Sequence, residues 1–538
     1  MFLEHTGMEA SCCQCPGLEA EVSRLSSWNT CLETQNQQLA EENRWLREQY
    51  LKGKQKQFGS SSERITSDTV QCEMLFNEAE VSADTELPAT EQISYTRKKK
   101  QPGHREEMLS DLPVETREYR LPDEDQFCKC CGGPLHEMSA EERKELQIVR
   151  PQVKVISHVR YIYSCRHCER HEIETPIVKA DAPGSFIEKS LASPSAVAYI
   201  MGMKFVEGMP LYRQEQSFGR MGIALSRSLL SNWVLLGGEM LHPIYSRMKE
   251  KLIGLDILHA DETTLQVLKE PGRKAESKSY MWMYRSGRDG PPMAVFEYQP
   301  GRDAEYPKRF LEGVSGYLHA DGYQGYDNLP GVTLVGCWSH ARRGFMDALK
   351  ILPKSQRNDP KHLVNVALAY INRLFAIERE LKDVSSEERK AVRDEKSKPV
   401  TDAFKAWLDE QRPRALPKSQ LGQAIGYCLN QWSKLTVFLT DGRLELDNNR
   451  SERTIKPFVI GRKNWLFANT PRGARVSALI YSIVESAKEN GLDPTSYLEY
   501  LFERLPGIVE GDASSVDELL PWSDSVQSAL RRPNTASA

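Results

Sequence analysis

The sequence lacks the segments that would send a protein into or across a membrane. The N-terminal stretch MFLEHTGMEASCC has no basic segment followed by an apolar run, which argues against a secretory signal. No apolar run approaches the roughly 20 residues that a helix needs to span a bilayer. The longest candidate, VSALIYSIV (476–484), is typical of a buried helix or strand. We therefore expect a cytoplasmic protein with no membrane partner.

A strong net charge is also lacking, although the charges are unevenly distributed. The 71 Lys and Arg residues nearly balance the 75 Asp and Glu residues, which leaves −4 at pH 7 and argues mildly against nucleic acid. However, basic residues are concentrated at 97–100 and 450–475. Local patches set the affinity for phosphate, so a nucleic-acid partner stays possible.

Length and composition indicate a multidomain protein, which the helical and strand patterns described below assign to the α+β class. A chain of 538 residues is too long for one ordinary core, so we expect three or more modules. The hydrophobic content of 40% and charged content of 27% are typical of globular proteins.

A heptad repeat predicts a coiled coil over residues 15–52. One of the two core positions of the heptad, the leucine seam, has leucine in every repeat. The other, the alternate seam, has three asparagines, which favour a two-stranded coiled coil with a fixed register. These positions are Leu18, Leu25, Leu32, Leu39, Leu46 and Val22, Asn29, Asn36, Asn43, Tyr50. A helix packed on its own protein would show a wider apolar face. Gly53 and the run FGSSSER (58–64) should end the helix, and residues 53–120 read as a flexible basic linker.

Two CxxC pairs predict a zinc-binding segment over residues 121–175. Four thiolates in this spacing can converge tetrahedrally on zinc. The predicted ligands are Cys128, Cys131, Cys165 and Cys168, with Cys130, His136, His158 and His167 as rivals. Reduced, buried cysteines are the alternative interpretation.

Residues 185–245 predict three helices, the last of them capped by Ser226. A helix, a Gly-containing turn and a second helix are compatible with a helix-turn-helix, in which Arg227 and Asn232 would contact DNA. Any three-helix core would give a similar pattern.

From Leu255 the period changes to that of strands. Three strands, a helix, a strand, a turn around GYQGY, a strand and a helix are predicted over residues 250–352. This is the order of a ribonuclease H-like α/β domain in which one helix is reduced to a turn.

Two of these strands contain the word His-Ala-Asp. Each acid, Asp261 and Asp321, is expected to end its strand at one edge of the sheet, where the two can hold divalent metal ions. An Asp at a strand end is more often a turn former. The competing acids are Asp256, Glu262 and Asp327.

A third acid follows an all-helical insertion predicted over residues 353–440. In DNNRSER (447–453), Asp447 or Asn448 should cap a helix that carries Glu452 among several cations. Glu445 is the runner-up, but we expect it to lack surrounding cations. Residues 441–506 would complete the catalytic core, and the tail 507–538 is expected to be disordered.

The motifs HADET, HADGYQGY, CWSHARRGF, DNNRSERTIKP and GRKNWLF together resemble the bacterial transposases of the insertion-sequence 66 family. The paired CxxC and PLYRQEQSFGRMGI resemble the same family's N-terminal half, and the match spans about residues 15–506. The resemblance implies an Asp-Asp-Glu triad of Asp261, Asp321 and Glu452. It also implies a zinc finger and a helix-turn-helix that bind the element's ends.

The leading hypothesis is therefore a DNA transposase, cytoplasmic and associated with the nucleoid, that uses two Mg²⁺ ions (or Mn²⁺) and structural Zn²⁺. Its partners would be element-end and target DNA, a second copy joined through the coiled coil in a homodimer or higher oligomer, and companion proteins of the same element. The predicted phosphate contacts near the site are Arg342, Arg343, Arg450, Arg453, Lys456, Arg462 and Lys463. A DNA-binding protein without catalysis and a nuclease without strand transfer are the alternatives.

Overall fold

The computed structural model describes residues 16–58, 151–164, 177–181, 184–508 and 512–531. Apart from those gaps, one compact unit contains residues 16–58 and 246–478, and a second contains residues 151–245 and 479–531. The four predicted zinc ligands and most of the predicted linker lie outside the described residues. Within the described segments, no helix is both long and apolar enough to cross a bilayer.

The heptad segment forms one helix, α1 (Pro16–Phe58). The helix continues past Gly53 and ends at Phe58, the first residue of the run FGSSSER that was also predicted to end it. Four leucines of the predicted seam, Leu25, Leu32, Leu39 and Leu46, are exposed along α1.

In the described part of the second unit, β1 (Ile162–Ser164) pairs antiparallel with β2 (Ile177–Lys179). Three helices follow as predicted: α2 (Pro194–Phe205), α3 (Leu211–Arg220) and α4 (Arg227–Met240). The Ser226 hydroxyl accepts from the Leu229 backbone N–H at 3.3 Å, which confirms the predicted cap. Gly222, at φ 89°, supplies the left-handed residue that the turn between α3 and α4 requires.

Helix α5 (His242–Ile253) leads into a five-stranded sheet. Its strands are β3 (Ile257–Gln266), β4 (Lys278–Ser286), β5 (Ala294–Gln299), β6 (Gly316–Ala320) and β7 (Val332–Gly336). The spatial order is β5-β4-β3-β6-β7. β4 pairs antiparallel with both β3 and β5, whereas β6 pairs parallel with both β3 and β7. All five strands form in the predicted order within residues 250–352.

The connections also follow the sequence. Helix α6 (Glu305–Phe310) joins β5 to β6, a single 3-10 turn (Gln324–Tyr326) joins β6 to β7, and α7 (Trp338–Ile351) follows β7. The reduced connection around GYQGY is therefore confirmed.

The insertion is helical throughout, as predicted. It contains α8 (Lys354–Arg357), α9 (Leu363–Glu380), α10 (Ser386–Val392), α11 (Lys398–Gln411), α12 (Gln420–Asn430) and α13 (Trp432–Leu435). It shares one apolar core with the sheet and α7: Trp338 and Phe345 of α7 lie in the same cluster as Phe404 of α11 and Ile257 of β3. The insertion thus completes the core of the sheet domain.

The chain then forms α14 (Asn449–Trp465), α15 (Pro471–Glu489) and α16 (Pro494–Arg504). The predicted last part of the catalytic core is divided, since residues after 478 belong to the second unit. There Phe205 of α2 meets Tyr481 of α15 edge to face, with ring centroids 5.2 Å apart.

The prediction of a disordered tail is wrong for residues 512–531. They form α17 (Ala513–Asp517) and α18 (Asp524–Leu530). Leu519, Leu520 and Val526 are buried, and the Leu519 carbonyl accepts from the Tyr497 hydroxyl at 2.7 Å. Apolar side chains spaced along a polar segment are enough to dock it.

Candidate active site

The two His-Ala-Asp words lie side by side in the sheet. His259 of β3 is the register partner of His319 of β6, so Asp261 and Asp321 each lie two residues beyond a matched pair. Asp321 follows the last residue of β6, as predicted. The expectation that Asp261 ends its strand is wrong, because β3 keeps pairing with β4 as far as Gln266 after β6 has ended.

The matched histidines form a buried stack. Their ring centroids are 4.2 Å apart with 9° between the planes. Burial lowers the pKa of His259 to about 4, and burial with the neighbouring His259 lowers that of His319 well below its usual value. Two neutral rings can stack without repulsion, so the pair fixes the register of the strands that carry both acids.

The start of α14 is attached to these strands and to α7. The Asn448 side chain donates to the Ala260 carbonyl at 2.9 Å, and its Oδ1 lies 2.9 Å from Nδ1 of His259. Its backbone N–H reaches Sγ of Cys337, 3.2 Å away. Asn448 occupies the cap position, but its side chain binds β3 rather than the helix end. The Asp447 carboxylate accepts the Asn449 N–H at 3.0 Å instead.

This attachment brings Glu452 into the electrostatic reach of the two aspartates. Burial raises the pKa of Asp261 well above its usual value, and the negative charges of Glu262, Glu452 and Asp321 raise it further. Mutual repulsion of this kind is relieved when a cation binds between carboxylates. Carboxylate oxygens are the donors that Mg²⁺ and Mn²⁺ prefer, so the donor chemistry of these residues fits such an ion. Among the described residues, however, the oxygens of Asp261, Asp321 and Glu452 do not all lie within 4.8 Å of one another.

Glu452 itself is buried and has two basic neighbours on α7. A terminal nitrogen of Arg343 lies 3.3 Å from one Glu452 oxygen, and Nδ1 of His340 lies 3.7 Å from the other. Cys337, His340 and Glu452 bring ligand atoms within 4.8 Å of one another, and in the described part of the chain no other His, Cys, Asp or Glu set does so. Sequence reasoning did not single out Cys337 as a ligand, although it is the first residue of the motif CWSHARRGF and directly follows β7.

Among the rival acids, Glu262 lies closest to the site. It accepts from the Tyr326 hydroxyl at 2.7 Å and from Nε of Arg302 at 2.8 Å. Burial, and then the charge of Asp321, raises its pKa. Arg302 was missed because nothing in its turn sequence marks it. The other two rivals hold cations of their own: Asp256 pairs with Arg443 at 2.8 Å and Asp327 with Lys434 at 2.6 Å.

Glu445 has the cations that we expected it to lack. Its Oε1 lies 3.2 Å from Nε of Arg450 and 3.7 Å from Nε of Arg288. Burial raises its pKa, but His259, Arg450 and Arg288 outweigh that effect and lower it overall. The negative charge of Glu445 is therefore balanced by arginines of the protein itself.

The predicted DNA-contacting cations fall into different environments. The prediction that Arg342 contacts DNA is wrong, because Arg342 is buried and its Nε donates to Oδ1 of Asn372 in the insertion at 3.0 Å. Arg450 holds Glu445, and Arg462 donates to the Thr264 hydroxyl at 3.1 Å. The exposed members of the predicted set are Arg343, Arg453 and Lys463 on the first unit and Arg227 and Asn232 on α4, while Lys456 is partly buried.

The raised pKa of Asp261 predicts an unusual stability effect. When folding raises the pKa of a carboxyl group, that group contributes to the stability of the folded protein at low pH. The contribution is lost as the pH rises through the raised pKa. In metal-free protein, Asp261→Asn should therefore melt higher than wild type, by about 2–4 °C for each kcal/mol relieved. The difference should grow as the pH rises above about 4. Thermal melts in a chelator across pH test this, and an equal difference at every pH would contradict it.

Comparison with known families accounts for most of the chain. Residues 189–476 match the model described as "Transposase IS66 family". Residues 125–169 match "zinc-finger binding domain of transposase IS66", and residues 482–522 match "IS66 C-terminal element". Residues 45–117 match "Transposase C of IS166 homeodomain". The C-terminal match runs past residue 506, where the resemblance seen in the sequence had stopped.

Full-length relatives agree with these matches. The uncharacterized protein y4qI of Sinorhizobium fredii (strain NBRC 101917 / NGR234) is 34% identical over 411 residues, which cover 73% of each chain. The uncharacterized protein y4hP of the same strain is 31% identical over 464 residues, covering 83% of this chain and 81% of its own. With a family model spanning more than half of its length, this chain belongs to the IS66 transposase family.

Proposed function

We propose that the protein binds the ends of an insertion sequence, cuts them by metal-assisted hydrolysis and joins the freed 3′-hydroxyl ends to target DNA. Asp261, Asp321 and Glu452 would hold the divalent ions. The observation that carries the proposal is the joint placement of these acids. Asp261 and Asp321 each lie two residues beyond the paired His259 and His319, and Glu452 lies in the first turn of a helix that Asn448 attaches to β3.

The sheet order supports a ribonuclease H-like catalytic domain. Three antiparallel strands followed by two that run parallel to the first, in the order β5-β4-β3-β6-β7, are the arrangement expected of that fold. The insertion between α7 and α14 leaves this order intact.

In the first step, water attacks the phosphorus at the element's end, the bond to the 3′ oxygen breaks, and a 3′-hydroxyl and a 5′-phosphate result. In the second, that hydroxyl attacks a target phosphodiester, so one phosphodiester forms for each one broken. Bound divalent ions would supply Lewis-acid activation of the attacking oxygen and stabilise the leaving oxygen. Exposed Arg343, Arg453 and Lys463 would neutralise nearby phosphates.

Two further segments would bind the element's ends. The zinc-finger match covers Cys128, Cys131, Cys165 and Cys168, which supports a structural Zn²⁺ there. Helices α3 and α4 with their Gly222 turn support a helix-turn-helix-like arrangement, in which exposed Arg227 and Asn232 would face DNA.

A coiled-coil dimer through α1 is also part of the proposal. Leu25, Leu32, Leu39 and Leu46 recur every seven residues and are exposed along one long helix. A second copy would bury this seam, and Asn29, Asn36 and Asn43 in the alternate seam would favour a two-stranded register.

Labelled element ends incubated with Mg²⁺ and target DNA test the function. Wild-type protein should release the cut end and yield joined product, and Asp261→Asn should do neither while still binding. Equal activity of the two proteins would refute the triad. Cleavage without joining would indicate a nuclease, and binding without cleavage a DNA-binding protein.

A further inference from the structure

Helix α14 ends in a strained turn. Leu466 has φ 62° and ψ −48°, and the Phe467 N–H donates to the Trp465 carbonyl at 2.8 Å. This is a γ-turn of the positive-φ kind, which is rare and strained. A branched residue such as leucine seldom adopts positive φ, and such backbones persist only when their surroundings hold them and where function uses them.

The surroundings hold this turn from both sides. The Leu466 N–H donates back into α14, to the Arg462 carbonyl at 2.6 Å. Immediately afterwards the Ala468 N–H donates to the Gln266 carbonyl at 2.9 Å, and the Leu268 N–H donates to Ala468 at 3.0 Å. The turn therefore bridges the end of the Glu452 helix and the end of the Asp261 strand. It is a rigid part of the catalytic domain.

What the turn presents to solvent is apolar. Leu466 is 64% exposed and Phe467 42% exposed, although Trp465 beside them packs edge to face on Phe458. A backbone outlier that holds two adjacent apolar side chains in solvent favours a binding role for this turn. We call Leu466 and Phe467 the wedge.

The charge around the wedge identifies its partner as a polyanion. From Arg453 to Val484 the sequence contains no Asp or Glu and six Lys or Arg residues. Lys463, Arg472 and Arg475 among them are exposed. Leu466 and Phe467 lie in a segment whose charged residues are all basic. This combination suits binding to DNA, where cations contact phosphates and apolar side chains contact bases.

The distance from the proposed metal site can be measured along two elements. Leu466 lies fourteen residues after Glu452 along α14, which at 1.5 Å per residue is about 20 Å. Val267, which pairs with Ala468 beside the wedge, lies six residues after Asp261 on the extended β3 strand, which is again about 20 Å. For a duplex that lies along α14, at 3.4 Å per base pair, both distances correspond to about six base pairs.

We propose that the wedge inserts at a base step of the element's end, about six base pairs from the phosphodiester that is cut. Apolar side chains placed between base steps unstack them and kink the duplex. This inference rests on the proposed function, because the position is counted from the Asp-Asp-Glu site.

The test uses full-length protein carrying Asp261→Asn, so that DNA is bound but not cut. Element-end duplexes each carry one 2-aminopurine, a base that brightens when it is unstacked, at successive positions from the cleavage site. We expect brightening confined to the step near six base pairs. Leu466→Gly should abolish it and weaken binding about tenfold, as expected for the loss of one base contact. The same variant should melt no lower than its parent, because glycine tolerates positive φ.

Ile460→Ala is the matched control, since Ile460 is 47% exposed on the same helix but outside the turn. It should leave the brightening unchanged. Uniform fluorescence at every position, or brightening that persists in Leu466→Gly, would overturn the wedge. Failure of the proposed function is seen separately, as absence of Mg²⁺-dependent cleavage by the wild-type chain.

Discussion

Glu452→Gln should reduce cleavage of element ends by about a thousandfold or more, equivalent to about 4 kcal/mol of transition-state stabilisation. The amide keeps the size of the side chain but has no negative charge to hold a divalent ion between it and the aspartates. Glu452 is buried, and its charge is one of three that raise the pKa of Asp261. Initial cleavage rates at saturating protein measure the effect without interference from binding.

Glu445→Gln is the control that decides which glutamate is the third carboxylate. Glu445 lies only seven residues earlier and is also largely buried, but it is paired with Arg450 and Arg288. Its amide variant should cleave within a few-fold of wild type at a temperature at which both are folded. If Glu445→Gln lost cleavage and Glu452→Gln kept it, the assignment of the third acid would be reversed.

Arg393→Ala should destabilise the catalytic domain by about 3–5 kcal/mol, the cost of removing one partner of a buried ion pair. The Arg393 guanidinium is fully buried and contacts both Glu378 oxygens at 2.7 Å. It also donates to the carbonyls of Phe438, Asp441 and Leu444 at 2.8, 3.0 and 2.8 Å. Removing it leaves a carboxylate and three carbonyls without this donor, in the segment that leads to Asn448 and Glu452.

Thermal melting measures this effect, and a domain of this size should lose roughly ten degrees. Arg414→Ala is the matched control within the insertion. Arg414 pairs with Glu410 at 2.9 Å, but both side chains are more than half exposed, so its loss should change the melting temperature little. Equal melting of the two variants would show that the insertion does not hold the Glu452 segment in this way.

Local patterns in the sequence predicted most helices and strands. They also predicted that Asp321 lies at the end of β6 and that Glu452 lies on a helix. The apolar segment KSYMWMYRS forms β4, Ser226 caps α4, and Asp321 directly follows β6. Each of these depends on neighbours within a few residues.

The errors come from partners that are distant in sequence. Asp261 lies within β3 because β4 extends the pairing, which the strand's own residues do not indicate. Arg342 is buried because the insertion covers that side of α7 through Asn372. Glu445 gains a cation from Arg288, more than 150 residues earlier in the chain. Single-sequence periodicity contains no information on such contacts.

The long separation between Asn448 and His259, 189 residues, has a consequence for biosynthesis. The ribosome releases Asp261 and Asp321 well before Glu452. At about 5–20 residues per second, the 131 residues between Asp321 and Glu452 take roughly 7–26 s to add. During that interval the growing chain contains Asp261 and Asp321 but not Glu452, and the helix that carries Glu452 cannot yet attach to β3. We expect nascent chains to lack nuclease activity, so that DNA near the translating ribosome is exposed only to completed protein.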